Sequence, residues 1–251
     1  MHLTKDKLVE EKAFLDKVYT TYTVDHSRQT KAMRELIART FAPFVRGGRG
    51  LELGCSDGYM TEMLASRMDE LEVVDGSEKF LAEARKRNLK NVKFMFSLFE
   101  EYTTEQKYDY VFASYILEHV LDPVAVMQMA RSVLKPDGVL CIVVPNARAL
   151  SRQLALHMNL LKGLKDLTEN DHNHGHRRVY DRVELNRHIA EAGFENVSQG
   201  GIMMKILADF QMDQLLAGGL LKEAHLDGLY RLGLEYPDLC GSLFSICRSK
   251  S

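Results

Sequence analysis

"LELGCSDGYM", residues 51–60, decides the fold: an apolar run carrying one acid, Glu52, breaks into a turn with glycines at 54 and 58. Glycine permits torsions and close backbone approach that a Cβ blocks, so the stretch reads as a buried strand entering a tight turn. Tyr59 to Met68 follows with helical spacing, Met60, Met63 and Leu64 facing inward. The next apolar run, "LEVVD" (71–75), ends on an acid, Asp75, seventeen residues after Gly58.

The same rhythm continues outward. Ser77 caps a helix with Phe80, Leu81 and Ala84 on one side, "VKFMF" (92–96) and "YDYVFASY" (108–115) are strands, and Asp122 with Pro123 opens a helix reaching Leu134. "GVLCIVVP" (138–145) is a further strand. Upstream, Met33, Leu36, Ile37, Phe41 and Phe44 place a one-faced helix over Gln29 to Val45, with Pro43 perturbing its end, and the charged start reads as an amphipathic helix. Downstream, residues 147–180 break the rhythm. A helix over Asp181 to Ala192, a strand near 194–201, a leucine-rich helical insert and a last strand at 241–249 complete the chain. Strands alternating with helices predict an α/β fold: an open, doubly wound, mostly parallel seven-stranded sheet with helices on both faces and a helical and loop lid.

With 251 residues, 45% hydrophobic and 27% charged, the chain is expected to fold throughout as one domain. Its parts are a helical cap at 1–46, a cofactor-binding core at 47–146, and lid insertions at 147–180 and 202–240. Lys plus Arg (33) nearly balances Asp plus Glu (35), so no global charge draws it to nucleic acid or an anionic membrane. Four scattered cysteines without a C-x-x-C pair fit a reducing cytoplasm. No apolar run approaches the roughly 18 residues that span a bilayer. The leucine- and methionine-rich stretch 201–221 completes the lid or forms a homodimer face.

In such a sheet ligands bind beyond the carboxyl ends of the strands. Gly54, Cys55, Ser56 and Gly58 bare the backbone there, the helix start at Tyr59 and Met60 offers free N–H groups, and Asp75 is placed to accept hydrogen bonds from ribose hydroxyls. A dinucleotide needs G-x-G-x-x-G, which is missing, and the acids Glu52 and Asp57 would repel a pyrophosphate. Carboxylates hold an ammonium instead. The cofactor expected here carries a ribose and an amino-acid tail.

These residues resemble the class I S-adenosylmethionine-dependent methyltransferases, whose fold is Rossmann-like. Their first motif, acid-x-Gly-x-Gly-x-Gly, is matched by Glu52 to Gly58 with Ser56 at the middle glycine; the second, "VVDGS", implies ribose binding by Asp75 and adenine-flanking roles for Gly76 and Ser77. In the third, "FSLFEEY", Ser97 stands where an adenine-binding Asp is usual, with Leu98 and Phe99 as backbone and apolar wall. The fourth, "FASYILEHVLDP" (112–123), adds Ser114 and Tyr115 to the cofactor set, and the fifth is "LKPDGVLCIVVPN" (134–146). The resemblance implies S-adenosyl-L-methionine as cofactor, S-adenosyl-L-homocysteine as product, and a small-molecule acceptor.

Transfer to a hydroxyl requires a proton acceptor, and His119, at the end of the fourth strand, is one candidate. Some quinone-pathway O-methyltransferases hold a divalent metal around this motif on two acids and a histidine. Glu118 and His119 match two of those positions but Tyr115 falls at the third, so no metal is expected. "DHNHGHRRVYD" (171–181) is the second candidate region. His176 is a possible base, His172, His174 and Tyr180 line an acceptor, and Arg177 with Arg178 clamps a carboxylate or phosphate on it. Tyr19, Tyr22 and His26 precede the helix over Gln29 to Val45 and close the chamber. The expected reaction is O-methylation of a small, anionic or sugar-containing acceptor, with N-methylation, a nicotinamide-dependent reductase and a non-catalytic cofactor-binding regulator as the alternatives.

Overall fold

The computed structural model describes residues 5–22 and 27–250. Two helices, α1 (Lys5–Tyr22) and α2 (Arg28–Phe41), precede the sheet. The sequence pattern runs α2 on to Val45, but the helix stops at Phe41, two residues before Pro43, whose ring cannot continue the hydrogen-bond ladder. Then follow β1 (Arg49–Leu53), α3 (Tyr59–Ala65), β2 (Glu70–Asp75), α4 (Glu78–Arg85), β3 (Val92–Phe96), β4 (Tyr108–Ser114), α5 (Pro123–Val133) and β5 (Leu134–Pro145). The predicted caps form: Ser77 accepts the Phe80 amide and Asp122 that of Ala125.

The break at 147–180 holds two short helices, α6 (Leu150–His157) and α7 (Glu169–Asn173), the second started by a capping box between Thr168 and Asp171. The chain ends with α8 (Arg182–Glu191), β6 (Phe194–Met204), α9 (Asp209–Ala217), α10 (Glu223–Glu235) and β7 (Cys240–Ser249).

The seven strands lie in the order β3-β2-β1-β4-β5-β7-β6. β1 to β5 are mutually parallel, and β7 runs antiparallel between β5 and β6. This is the doubly wound, mostly parallel sheet expected from the sequence. Strand pleating sends alternate residues to opposite faces. Phe112, Cys141 and Val143 meet α2, α3 and α4 on one side, while Val111, Ala113, Leu140 and Ile142 meet α5 and α8 on the other. Both faces are therefore apolar, which is why these strands read as continuous hydrophobic runs. Among the described residues no helix is long and apolar enough to cross a membrane. The strand order reverses between β1 and β4, and their carboxyl ends open the crevice where ligands of such sheets sit.

Candidate functional site

The turn after β1 is built from left-handed residues. Gly54 and Gly58 have φ of +73° and +76°. Ser56, where the related motif has glycine, is forced to +48°. A Cβ on Gly58 would stand 2.9 Å from the Ala84 Cα, so glycine lets α3 approach α4. Beneath the turn, Asp75 is buried with Oδ2 accepting the Cys55 amide at 2.9 Å and Oδ1 the Ser77 amide at 2.8 Å. Burial raises its pKa against those hydrogen bonds. Both amides fix the carboxylate at the lip of β2.

Glu52 is 3% exposed, and its Oε2 meets no hydrogen-bond partner among the described residues. Burial pushes its pKa up to about 8, although Thr61 and Arg34 pull it down. A buried acid left in this state is an unfilled demand for a donor or cation.

Arg34 of α2 is a site residue the sequence did not reveal. Its Nη1 lies 2.7 Å from Asp57 Oδ1 and its Nη2 3.5 Å from Ser56 Oγ, a guanidinium on the glycine turn. No local pattern marks it, because the contact spans more than twenty residues. Tyr59 turns towards α2, its hydroxyl donating to Glu35 at 2.6 Å, and the Met60 side chain belongs to the core. Cys55 is buried, with its thiol pKa raised well above normal by burial and by Asp75.

The far wall comes from the ends of β3 and β4. Gly76 is flanked so closely by Leu98 and by Leu15 of α1 that a Cβ would lie 2.7 Å from each. Ile116 closes on Gly54 in the same way, with the Phe99 ring in van der Waals contact beside it. The Ser97 hydroxyl bonds the Leu98 carbonyl at 2.9 Å, and Ser114 Oγ is buried without a partner among the described residues. Tyr115 has φ +57°, and its hydroxyl is 2.6 Å from Ser242 Oγ on β7. Backbone strain of this kind persists only where surroundings impose it.

On the acceptor side the loop after β4 meets the α7 segment. The His119 and His176 rings stand edge to face, centroids 4.8 Å apart. His176 Nδ1 is 2.9 Å from Asp171 Oδ1, and Thr168 and Arg152 bind the other oxygen. Despite burial, the hydrogen bonds from His176 and Thr168 hold Asp171 well below the usual carboxylate range. Asp171 is the second residue missed in the sequence. Burial, followed by His176, pushes the His119 pKa well below normal, so this imidazole is neutral at pH 7. Glu118 is wholly buried and burial lifts it to about 8.

Several expected acceptor contacts are committed elsewhere. Arg177 grips Glu11 of α1 through both carboxylate oxygens at 2.8 and 3.0 Å, donates to the His119 carbonyl and covers the Phe14 ring. Arg178 donates to the carbonyls of Leu117, Val120 and Leu121. The pair thus locks the loop after β4 rather than presenting an anion clamp. Tyr180 is fully buried, its hydroxyl on the Leu117 carbonyl and 3.2 Å from His188 Nδ1, which leaves no face for an acceptor. His172 is exposed, and His174 Nδ1 lies 2.8 Å from the Asn170 carbonyl. Tyr19 packs on Phe80 with centroids 5.1 Å apart. His26 and the Tyr22 side chain lie outside the described residues.

Comparison with known proteins agrees with this geometry. A family model described as "Methyltransferase domain" matches residues 24–199. A trans-aconitate 2-methyltransferase of Variovorax paradoxus (strain S110) is 35% identical over 123 residues, covering 48% of this chain and 46% of that protein. A ubiquinone biosynthesis O-methyltransferase of Idiomarina loihiensis is 26% identical over 199 residues, 76% of each chain. At the level of the first of these, the chain spans about half the length of its curated relative. The N-methyltransferase NodS from Bradyrhizobium japonicum WM9, solved with S-adenosyl-L-homocysteine, superposes with a TM-score of 0.60 at 13% identity, covering 94% of this chain and 100% of that one. A DhpI-SAM-HEP complex superposes with the same score at 21% identity, covering 98% and 100%. The two structures share the fold. With the family model covering most of its length and the motifs of the class I enzymes folded into one crevice, the chain belongs to the methyltransferase-domain family.

Proposed function

We propose that the chain transfers the methyl group of S-adenosylmethionine to an oxygen of a small acceptor. The observation that carries this reading is Glu52: a buried acid, with one oxygen that meets no hydrogen-bond partner among the described residues, beside a bare glycine turn and suited to the ammonium of a methionine tail. The residues around it fit the rest of that cofactor. Asp75 faces the ribose hydroxyls, and Gly76, Ser77, Ser97, Leu98 and Phe99 enclose the adenine. Gly54 to Gly58 carry the tail over the turn, and Arg34 pairs with its carboxylate. The bound sulfonium supplies the electrophilic methyl and its own leaving group. What remains for the chain is to align the acceptor, exclude water and receive one proton.

Ser114 and Tyr115 stand at the methyl end, Tyr115 held there by Ser242. The acceptor hydroxyl loses its proton beside His119 and His176, which the fold brings from two segments to one spot. Oxygen is favoured over nitrogen because a relative matched over 76% of the chain is named an O-methyltransferase. The cysteines, all free and buried, fit the cytoplasm.

The test is calorimetry with S-adenosylhomocysteine, together with labelled methyl transfer to trans-aconitate and to catechols. Wild type should bind one equivalent and Asp75→Ala should bind at least tenfold more weakly. Equal binding by the two proteins would remove the ribose assignment.

A further inference from the structure

Glu118, His119 and His176 form a group whose ligand atoms lie within 4.8 Å of one another. Two come from the loop after β4 and the third from the segment after α7. Glu118 is 0% exposed, and neither carboxyl oxygen meets a hydrogen-bond partner in another residue among the described ones. His119 Nε2 is 4.0 Å from Glu118 Oε1, beyond hydrogen-bond reach. The imidazole and the acid therefore face each other without bonding.

The outer contacts are those of metal-ligating histidines, which donate the second ring N–H to a carboxylate or a backbone carbonyl. His176 has Asp171 on Nδ1, and His119 has the Gly175 carbonyl. Asp171 is itself fixed by Thr168 and Arg152, so the His176 ring is held in one orientation. Ligands at about 2.0–2.1 Å around a tetrahedral ion stand about 3.4 Å apart, so the group closes on an ion by roughly 1 Å. Rotation of the Glu118 side chain, whose oxygens meet no hydrogen-bond partner in another described residue, spans that difference.

We propose that Glu118, His119 and His176 bind one divalent transition-metal ion of the zinc class beside the acceptor site. Two imidazoles and one carboxylate select such an ion over magnesium, which prefers an all-oxygen shell. Absence of a metal was expected because Tyr115 occupies the third position of a one-motif site. The fold completes the set differently, with a histidine 57 residues further along the chain. The bearing on catalysis rests on the methyl-transfer reading: an acceptor hydroxyl on this ion would be acidified by coordination rather than by a free imidazole.

The experiment uses the full chain stripped with chelator and titrated with Zn²⁺ by calorimetry and with Co²⁺ by visible absorption. One ion per chain is expected, with at least tenfold weaker binding in Glu118→Gln and in His176→Gln and no change in His157→Gln, an exposed histidine on α6. S-adenosylhomocysteine binding by each variant reports that the fold and the cofactor crevice are intact, and the partly exposed His176 position carries the test if Glu118→Gln does not fold. Ligand binding by a wild type that takes up neither metal, or equal uptake by wild type and both ligand variants, overturns the metal site and leaves methyl transfer standing. Metal uptake by a wild type that ignores the cofactor product does the reverse.

Discussion

At the scale of single residues, the glycine turn combines conformational strain with an electrostatic demand. Ser56 occupies left-handed backbone at φ +48°, a region that costs a residue with a Cβ roughly 1 kcal/mol. Ser56→Gly should therefore stabilise the fold by about 0.5–1 kcal/mol and raise the melting temperature by about 1–4 °C at this chain length. Thermal unfolding of the ligand-free chain checks this, and a lower midpoint would show that the hydroxyl contact with Arg34 outweighs the strain. Gly58→Ala runs the other way, since its Cβ meets the α4 backbone at 2.9 Å. Glu52 gives a pH prediction. Its pKa rises from 4.5 to about 8 on folding, so the fold gains stability that is full below about 4.5 and is lost as pH climbs through about 8. An ammonium ligand needs the ionised form. Affinity for S-adenosylhomocysteine should then increase roughly tenfold per pH unit between pH 6 and 7.5, with one proton released on binding. Glu52→Gln should bind weakly and lose that slope, which calorimetry in buffers of different ionisation enthalpy reads directly.

At the scale of elements, α1 ties the crevice shut from outside. Leu15 lies on Gly76, Val18 and Phe14 on Gly175, Tyr19 on Phe80, and the Glu11 to Arg177 pair fastens the helix to the acceptor-side loop. Removing Arg177 leaves Glu11, 8% exposed, without its partner, a loss of about 1–3 kcal/mol for a partly buried charge-assisted bond. Arg177→Ala should raise amide exchange across residues 9–21 at least tenfold while leaving β4 and β5 protected; unchanged exchange in α1 would mean that apolar contacts alone hold the helix. The same elements show what a sequence can disclose. The strand, turn and helix at 51–65 were legible because burial on both faces writes continuous apolar runs, and a tight turn demands glycine. The caps at Ser77 and Asp122 were legible because capping is local. Arg34 on Asp57 and Asp171 on His176 were not, since a charge in the sequence carries no sign of the partner that folding will bring to it. Arg177 and Arg178 misled for that reason: their positive charge suggested an anion, whereas the fold answers it with Glu11 and backbone carbonyls.

At the scale of the whole molecule, the order of strands makes one place where every functional segment converges. β1, β2 and β4 deliver the turn, Asp75 and Tyr115 to the same edge, while β7, inserted antiparallel beside β5, sends Ser242 across to hold Tyr115. A ligand bound in that crevice favours the folded state, because only the folded chain assembles it. Saturation at one hundred times the dissociation constant adds about 2.7 kcal/mol of stability. For a chain of this size that corresponds to a melting shift of roughly 5–10 °C with S-adenosylhomocysteine. Asp75→Ala should melt below the wild-type temperature without ligand, because the Cys55 and Ser77 amides lose their acceptor, and should show little further shift with it. Leu234→Glu, an exposed position on α10, should keep the full shift. An equal shift in Asp75→Ala would mean that the stabilising ligand sits away from the β1 to β4 crevice, and a scanning calorimeter distinguishes the two outcomes in one experiment.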